Sequence, residues 1–256
     1  MYVGKLPTPE DLAQLYSDKF FGSSSKFDAA DNSPSMVNGR DRVSQIMALP
    51  GIGVQAWLDV GCATGEFLLA GRGFAQELHG TDISAYAIDV ARRRGLEDLK
   101  VGSFSALEYS PAKFDLITMW DLIEHVEDPA TVLRKAFEYL TPGGYLVLST
   151  GDVESLASRL MGRFWHLMIP PFHTYFFSRK TIERYLRTAG FTEIHVRYPG
   201  KVVPLDFMLE KAARLVSPRL SERVQPLLRR VKLGRFRFSV NLFDIMTVDA
   251  RKPANV

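Results

Sequence analysis

Short apolar segments and segments of helical spacing alternate along the middle of the chain. Two helical segments, at 84–94 and 129–140, have clear ends: Ser84 can cap the first, Gly95 can end it, and Asp128-Pro129 can start the second. This alternation predicts an α/β fold, a doubly wound, mostly parallel sheet that binds ligands at the carboxyl ends of its strands. The apolar runs of strand length occupy positions 56–60, 78–83, 99–101, 114–119 and 145–149.

The sequence on either side of this region predicts additions to the sheet. Residues 1–50 are expected to form an N-terminal helical segment, with helices at about 8–20 and 40–49, that contributes to the active-site cover. Residues 151–177 carry several aromatic residues around a Pro-Pro step, which indicates an inserted substrate cap. The rest of the domain at 51–256 is predicted as a helix at 178–189, a strand at 191–198, a basic helical insertion at 201–235 and a final edge strand or hairpin partner at 238–250.

Composition narrows the class of protein. The chain has 256 residues and 46% hydrophobic composition, which is typical of a globular protein, and its formal net charge of +3 gives no argument for nucleic-acid binding. No apolar run approaches the about 20 residues needed to span a membrane. The one cysteine, Cys62, rules out an internal disulfide framework. We therefore expect a cytoplasmic monomer or homodimer that acts on a small molecule.

The stretch AWLDVGCATGEFL combines a strand, a glycine turn and the start of a helix. Gly61 and Gly65 allow close approach of a ligand, and Asp82 ends the next strand roughly 20 residues later, where nucleotide-binding folds place a carboxylate for ribose hydroxyls. A pyrophosphate would meet Asp59 and Glu66, and the turn contains no Lys or Arg. The acidic turn therefore disfavours a nicotinamide dinucleotide and favours S-adenosylmethionine, which carries an ammonium and a sulfonium but no phosphate.

Four stretches follow one another in this region: LDVGCATGEFL, GTDIS, FDLITMWDLIEHVEDP and LTPGGYLVLS. In this order and at these separations they resemble the motifs of class I S-adenosylmethionine-dependent methyltransferases, and most closely the branch of ubiquinone-biosynthesis O-methyltransferases. The resemblance covers about residues 40–200. It implies a seven-stranded Rossmann-like methyltransferase fold that binds S-adenosylmethionine and releases S-adenosylhomocysteine.

The resemblance also implies cofactor contacts, position by position. The glycine turn would line the methionine end, the ends of the second and third strands would contact the ribose and adenine, and the end of the fourth would face the reactive methyl group. Ordinary core packing is the alternative for Ile83, Phe104 and Met119, and for Cys62 a packing role is favoured over that of a nucleophile. In chain order, the implied contact residues are Asp59, Gly61, Cys62, Ala63, Gly65, Asp82, Ile83, Ser103, Phe104, Met119 and Trp120.

Candidate catalytic residues follow the fourth predicted strand. Asp121 and His125 lie where a substrate should arrive, and His125 titrates near neutral pH, as a general base requires. The alternative is that Glu124 and His125 cap and brace the next helix. His173, in the predicted cap, is a second candidate base, with packing as its alternative. No pair of histidines or carboxylates has metal-ligand spacing, so we expect no metal.

The most favoured function is methyl transfer to a hydroxyl of a sugar, lipid-linked or aromatic natural-product acceptor. N-methylation of an amino sugar or related amine, and an inactive cofactor-binding partner subunit, are the alternatives. The aromatic segment 165–177 is expected to cover an apolar or ring-bearing acceptor. The basic segment 214–237 is either a solvated helix face or a weak contact for anionic lipid or phosphate.

Overall fold

The computed structural model describes residues 30, 33–169, 173–205, 208–209, 213, 217 and 236–255. The helix expected at 8–20 and most of the basic helical insertion lie outside the described residues. The helices are α1 Pro34–Met47, α2 Glu66–Ala70, α3 Ala85–Arg93, α4 Pro129–Tyr139, α5 Leu156–Met161 and α6 Arg179–Thr188, with a 3₁₀ turn at Gly162–Phe164. The strands are β1 Ala56–Val60, β2 Glu77–Asp82, β3 Asp98–Val101, β4 Phe114–Trp120, β5 Leu140–Gly151, β6 Thr192–Arg197, β7 Lys201–Pro204, β8 Arg237–Val240 and β9 Ile245–Arg251.

Seven strands form the main sheet, in the order β3-β2-β1-β4-β5-β9-β6. The strands β1 to β5 run parallel to their neighbours among themselves, whereas β9 is antiparallel to β5 and β6. The strand order reverses direction between β1 and β4, so the carboxyl ends of these two strands flank the crevice where such sheets bind ligands. The predicted doubly wound, mostly parallel seven-stranded sheet is confirmed.

The segment at 238–250, which was predicted as one final edge strand or hairpin partner, belongs to two strands, β8 and β9. β8 pairs with β7 in a separate antiparallel sheet, while β9 lies between β5 and β6 and leaves β6 at the edge. Five consecutive residues of β9, at positions 246–250, are buried, so both faces of this strand are covered. The prediction of an edge strand was wrong because the sequence pattern alone does not show which strands lie beside a segment.

The helix starts follow the predicted capping signals, with one shift. Ser84 and Ser178 accept hydrogen bonds from the first turns of α3 and α6, and Asp128 caps α4 ahead of a proline. α1 begins at Pro34 instead of near position 40, because the Ser33 hydroxyl accepts a hydrogen bond from Met36 N at 3.2 Å. The helix therefore begins six residues before the predicted start at position 40.

Helices cover both faces of the sheet. On one face, α1, α2 and α3 pack on Trp57, Leu116 and Val147. On the other face, α4 and α6 pack on Leu58, Ile117 and the remaining core residues of β5 and β9. Adjacent residues of β1 and β4 thus enter opposite cores, as the alternation of side chains along a strand requires.

The helix α1 is also connected to β7. Asn38 Nδ2 donates to Val202 O at 2.9 Å, and Val202 N donates to Asn38 Oδ1 at 2.8 Å. These bonds hold α1 and β7 together above the carboxyl end of β4, where both contribute side chains to the site described below. Among the described helices, none is long and apolar enough to cross a membrane.

Candidate active site

The turn after β1 has the backbone that a close ligand approach requires. Gly61, Ala63 and Gly65 have φ of 74°, 49° and 85°, and the N–H groups of Gly61 and Cys62 donate to Thr81 O at 2.7 and 3.0 Å. A Cβ atom at Gly65 would overlap Leu96 Cδ1. The turn therefore packs closely on α3 and the loop after it at Gly65, and main-chain bonds hold it against the end of β2.

Asp59 lies beneath this turn and is 2% exposed. Its Oδ1 accepts a hydrogen bond from Thr118 Oγ1 at 2.6 Å, and Thr118 in turn accepts one from Trp57 Nε1 at 2.9 Å. Burial raises the pKa of Asp59 to about 7, although the Thr118 bond and the positive charge of Arg42 act in the opposite direction. Asp59 is thus a buried acid that a nearby cation would stabilise in its charged form.

Glu66 is neutralised by a residue that the sequence argument did not include. Arg94 Nη1 lies 2.5 Å from Glu66 Oε1, and Thr64 Oγ1 donates to the same oxygen. Arg94 follows α3 in the chain, so it is not part of the glycine turn, which itself contains no Lys or Arg. The acidity of the turn therefore rests on Asp59 and Asp82 rather than on Glu66.

Asp82 links the turn to the next loop. Its Oδ2 accepts a hydrogen bond from Ala63 N at 2.9 Å, and its Oδ1 accepts one from Ser84 N at 2.8 Å. Burial raises the pKa of Asp82 above its usual range. The neighbouring Ile83 is 39% exposed, so its side chain is available at this edge of the sheet.

Three of the other predicted contact residues have side chains in the core. Phe104 is 5% exposed and packs edge-on against Tyr139, and Met119 is completely buried. Their side chains follow the core-packing alternative, because the chain at both positions turns an apolar group towards the sheet interior. Cys62 packs beneath Gly80, and burial raises the pKa of its thiol, so it is a poor nucleophile. Ser103 is exposed, with its Oγ 2.7 Å from Ser105 Oγ.

The positively charged side chain of Arg42, from α1, lies at the end of β4, and this position was not predicted from the sequence. The Arg42 guanidinium lies 4.0 Å from the ring centroid of Trp120, and its Nη2 lies 4.0 Å from Asp121 Oδ2. Burial lowers the pKa of Arg42, and Asp121 and Asp59 oppose that change. The indole nitrogen of Trp120 is a buried donor without a hydrogen-bond partner. Arg42 was missed because nothing in a helix pattern shows which residue will face a strand end.

Asp121 is oriented by its backbone angle and by two neighbours, Ser149 and Lys201. Its φ is +50°, its Oδ1 accepts a hydrogen bond from Ser149 Oγ at 2.7 Å, and Lys201 Nζ lies 3.4 Å from its Oδ2. A left-handed backbone at a residue other than glycine is uncommon and occurs often at functional sites. The carboxylate therefore faces the space between the end of β4, α1 and β7.

Glu124, His125 and His173 come together next to this space. Glu124 and His173 are buried, His125 is partly buried, and the two imidazole rings are 4.7 Å apart at 82°. Burial and the charge of Asp121 together raise the pKa of Glu124 to about 8, although a hydrogen bond from Thr150 acts in the opposite direction. The cap of α4 is Asp128, so Glu124 and His125 do not cap that helix. Sequence spacing did not bring these three residues together, because they come from separate segments of the chain.

The predicted cap is partly fixed to the body of the protein. Trp165 is buried and its Nε1 donates to Asp244 Oδ2 at 2.8 Å, and Phe176 and Phe177 are buried as well. By contrast, Leu156, Leu160 and Phe164 are exposed on and after α5. Among the described cap residues, His173 is the titratable group that reaches the Glu124 cluster.

Comparisons with known proteins agree with this architecture. A family model described as a methyltransferase domain matches residues 27–196. A ubiquinone biosynthesis O-methyltransferase of Xanthomonas campestris is 32% identical over 154 residues, which are 56% of this chain and 63% of that protein. The counterpart of Thiobacillus denitrificans is 32% identical over 145 residues, 52% of this chain and 62% of that protein. The matches thus span less than two thirds of the length of these curated relatives.

A solved structure gives the same fold. The phosphoethanolamine N-methyltransferase 2 of Haemonchus contortus, in complex with S-adenosylmethionine, superposes with a TM-score of 0.62 at 19% identity and covers 98% of this chain and 61% of that chain. At this identity the likeness shows the fold alone. The family match, which extends over more than half of the sequence, shows the family: the chain belongs to the methyltransferase-domain family of class I S-adenosylmethionine-dependent methyltransferases.

Proposed function

We propose that the protein transfers the methyl group of S-adenosylmethionine to a hydroxyl oxygen of a small-molecule acceptor. The observation that carries this proposal is the acidic glycine turn joined to Asp82 by the Ala63 N–H. The turn offers Asp59 and Asp82 to a ligand that is cationic at one end and bears ribose hydroxyls at the other. The relatives named as O-methyltransferases support oxygen as the acceptor atom.

The cofactor is proposed to lie across the ends of β1, β2 and β4. Asp82 would accept hydrogen bonds from the ribose hydroxyls, and the exposed Ile83 would pack on the adenine. Arg42 and the unpartnered indole N–H of Trp120 would bind the methionine carboxylate, with Asp59 near its ammonium. Ser103 would lie at the adenine edge, and Phe104 and Met119 would support the site from the core.

The acceptor is proposed to enter beside Asp121, His125 and His173. Methyl transfer is an in-line displacement at a sulfonium that is already a good leaving group, so alignment and exclusion of water supply most of the rate enhancement. A hydroxyl acceptor must also lose its proton. His125, His173 and Asp121 are the candidates to take part in that step, because they converge at the end of β4.

The remaining parts of the chain are proposed to complete the site. Residues 1–50, through α1, and the cap at 151–177 would cover cofactor and acceptor, and the sugar, lipid-linked or aromatic nature of the acceptor would depend on the cap. The basic segment 214–237 is proposed as a weak contact for anionic lipid or phosphate. We propose a cytoplasmic protein, monomeric or homodimeric.

Calorimetry with S-adenosylhomocysteine tests the cofactor site. Asp82→Asn should weaken binding by roughly 10- to 100-fold, because hydrogen bonds to a charged group contribute about 1.5 to 3 kcal/mol. Asp98→Asn is the matched control, since Asp98 is an exposed aspartate at the start of β3 and should leave the affinity unchanged. Binding of NADH as strong as that of S-adenosylhomocysteine would contradict the proposal.

N-methylation of an amine is the second candidate. The carboxylates of Asp121 and Glu124 at the acceptor end suit a cationic amine that loses its proton before transfer. Such an enzyme would keep its activity when both His125 and His173 are replaced, whereas an O-methyltransferase that uses either ring would lose most of it. Binding of the cofactor without turnover of any hydroxyl or amine acceptor would instead indicate an inactive partner subunit.

A further inference from the structure

The carboxylate of Asp121 lies between two cations from separate parts of the chain. Lys201 Nζ, from β7, is 3.4 Å from Asp121 Oδ2, and Arg42 Nη2, from α1, is 4.0 Å from the same oxygen. The other carboxylate oxygen accepts a hydrogen bond from Ser149 Oγ at 2.7 Å. One oxygen of Asp121 is therefore shared by two positive charges, and Lys201 is the nearer of the two.

Arg42 also faces the position proposed for the cofactor. Its guanidinium lies 4.0 Å from the centroid of the Trp120 ring, whose indole nitrogen is a buried donor without a hydrogen-bond partner. Under the proposed function, both groups bind the methionine carboxylate. The carboxylate of Asp121 and that of the cofactor thus compete for one guanidinium, because a planar guanidinium that is oriented towards one carboxylate is less available to another.

The fold fixes Lys201 relative to Arg42. Asn38 exchanges two hydrogen bonds with the main chain of Val202, at 2.9 and 2.8 Å. Asn38 lies about one helical turn before Arg42, and Val202 directly follows Lys201. One junction between α1 and β7 therefore brings both cations to Asp121. Lys201 lies outside the segment 27–196 that matches the family model, and it reaches the site as part of the separate β7–β8 sheet.

We propose that Lys201 is a positioning residue that binds Asp121 and thereby leaves Arg42 to the methionine carboxylate of the cofactor. This inference rests on the proposed function, which assigns Arg42 to that carboxylate. Asp59 is the other acid whose charge acts on Arg42, and it is already bound by the Thr118 hydroxyl. Asp121 is therefore the acid whose attraction for Arg42 a second cation can weaken.

The consequence for the reaction is alignment of the cofactor. Methyl transfer requires that the bond between sulfur and the methyl carbon point at the acceptor oxygen. The methionine carboxylate is one fixed end of the cofactor, so its position helps to set that direction. Lys201 contributes by keeping this end in place and does not itself touch the reacting atoms.

A direct attraction between Lys201 and the cofactor is the competing explanation. A positive charge near the bound methionine carboxylate would favour binding whether or not Asp121 is charged. The two explanations differ in whether the effect of Lys201 requires Asp121. A double-mutant cycle over these two residues measures that difference.

The test measures the affinity of the full chain for S-adenosylhomocysteine by calorimetry in four proteins: the wild type, Lys201→Met, Asp121→Asn and the double variant. Lys201→Met should weaken binding by roughly three- to tenfold, within the range of coupling between contacting residues, because Asp121 then attracts Arg42 alone. Asp121→Asn should bind at least as tightly as the wild type, because the competing charge is gone. The double variant should bind as tightly as Asp121→Asn.

Three controls accompany the cycle. Lys201→Arg keeps a cation at this position and should retain the affinity of the wild type. Lys180→Met makes the same change in net charge at an exposed lysine of α6 and should leave the affinity unchanged. The compound 5′-methylthioadenosine, which has the adenosine and the thioether but no amino-acid group, should bind all four proteins of the cycle alike.

The results separate this inference from the proposed function. A loss of affinity in Lys201→Met that disappears in the double variant supports the role of Lys201. An equal loss with and without Asp121, or no loss at all, overturns that role and leaves the proposed function in place. A loss that extends to 5′-methylthioadenosine also overturns it, because such a loss does not involve the methionine carboxylate. A wild type that binds no S-adenosylhomocysteine contradicts the proposed function itself and the role of Lys201 with it.

Discussion

At the residue scale, the glycine turn combines two unfavourable features in one place. Gly65 has a left-handed backbone at φ +85°, and Asp59 is an acid buried beneath the same turn. Burial raises the pKa of Asp59 to about 7, so its charged form is disfavoured in the unliganded protein. Both features are understandable if the turn is shaped for a close, cationic ligand rather than for stability.

Gly65→Ala should destabilise the protein more than Gly73→Ala. The two glycines have nearly the same φ, +85° and +86°, but a Cβ at Gly65 would overlap Leu96 and lie 3.2 Å from Ala91 Cβ, whereas nothing lies within 4 Å of one at Gly73. We expect a cost of about 1 kcal/mol at Gly73 from backbone strain and of roughly 2 to 4 kcal/mol at Gly65 from strain and overpacking together.

Urea unfolding of the two variants beside the wild type measures this difference. Since the backbone strain is common to both, the excess cost at Gly65 reports how tightly the turn packs on α3 and its following loop. Equal costs at the two positions would show that the packing against Leu96 relaxes freely.

At the element scale, groups from outside the turn complete the site. Arg42 comes from α1, Arg94 follows α3, and His173 lies in the cap. The helix α1 is held in position through Asn38, which exchanges two hydrogen bonds with Val202 of β7. The charge at the end of β4 thus depends on how a helix before the sheet and a strand after it are joined.

Asn38→Ala should lower both stability and cofactor affinity. The lost bonds should cost roughly 1 to 3 kcal/mol, and Arg42, one turn further along α1, should lose its fixed position over Trp120. We expect the dissociation constant for S-adenosylhomocysteine to rise several-fold in calorimetry.

Asn241→Ala is the matched control for this prediction. Asn241 also makes two hydrogen bonds to backbone groups, donating to Tyr198 O at 2.7 Å and accepting from Phe243 N at 2.8 Å. It lies in the connection between β8 and β9, and its two side-chain hydrogen bonds do not involve α1, so its loss should leave the cofactor affinity unchanged. The same loss of affinity in both variants would argue that general loosening, and not the position of Arg42, is responsible.

At the scale of the whole molecule, the sequence predicts the ends of helices, which depend on nearby residues, better than the neighbours of a strand, which depend on residues far away in the chain. The limits of α3 follow from Ser84 and Gly95, which act within the helix itself, so the helix was predicted almost to the residue. The place of β9 between β5 and β6 depends on partners distant in the chain and was not predictable from its own pattern. The same holds for the site: Asp59 and Asp82 belong to one βα unit, whereas the approach of His173 to Glu124 arises only from folding.

Trp165→Phe tests whether the cap and the cofactor site open independently of each other. The indole nitrogen of Trp165 donates to Asp244 Oδ2, and Asp244 is 3% exposed, so Phe would leave a buried carboxylate with His166 Nδ1 at 3.4 Å as its other close partner. We expect a loss of about 1 to 3 kcal/mol that appears as local opening. Amide hydrogen exchange at 156–169 should become about tenfold faster or more, with exchange at 61–70 and the affinity for S-adenosylhomocysteine unchanged.

Phe164→Leu is the control, since Phe164 is exposed in the same segment and should alter neither the exchange rates nor the affinity. Faster exchange in the glycine turn as well would mean that the cap and the cofactor site open together, in which case acceptor entry and cofactor binding are coupled through β5.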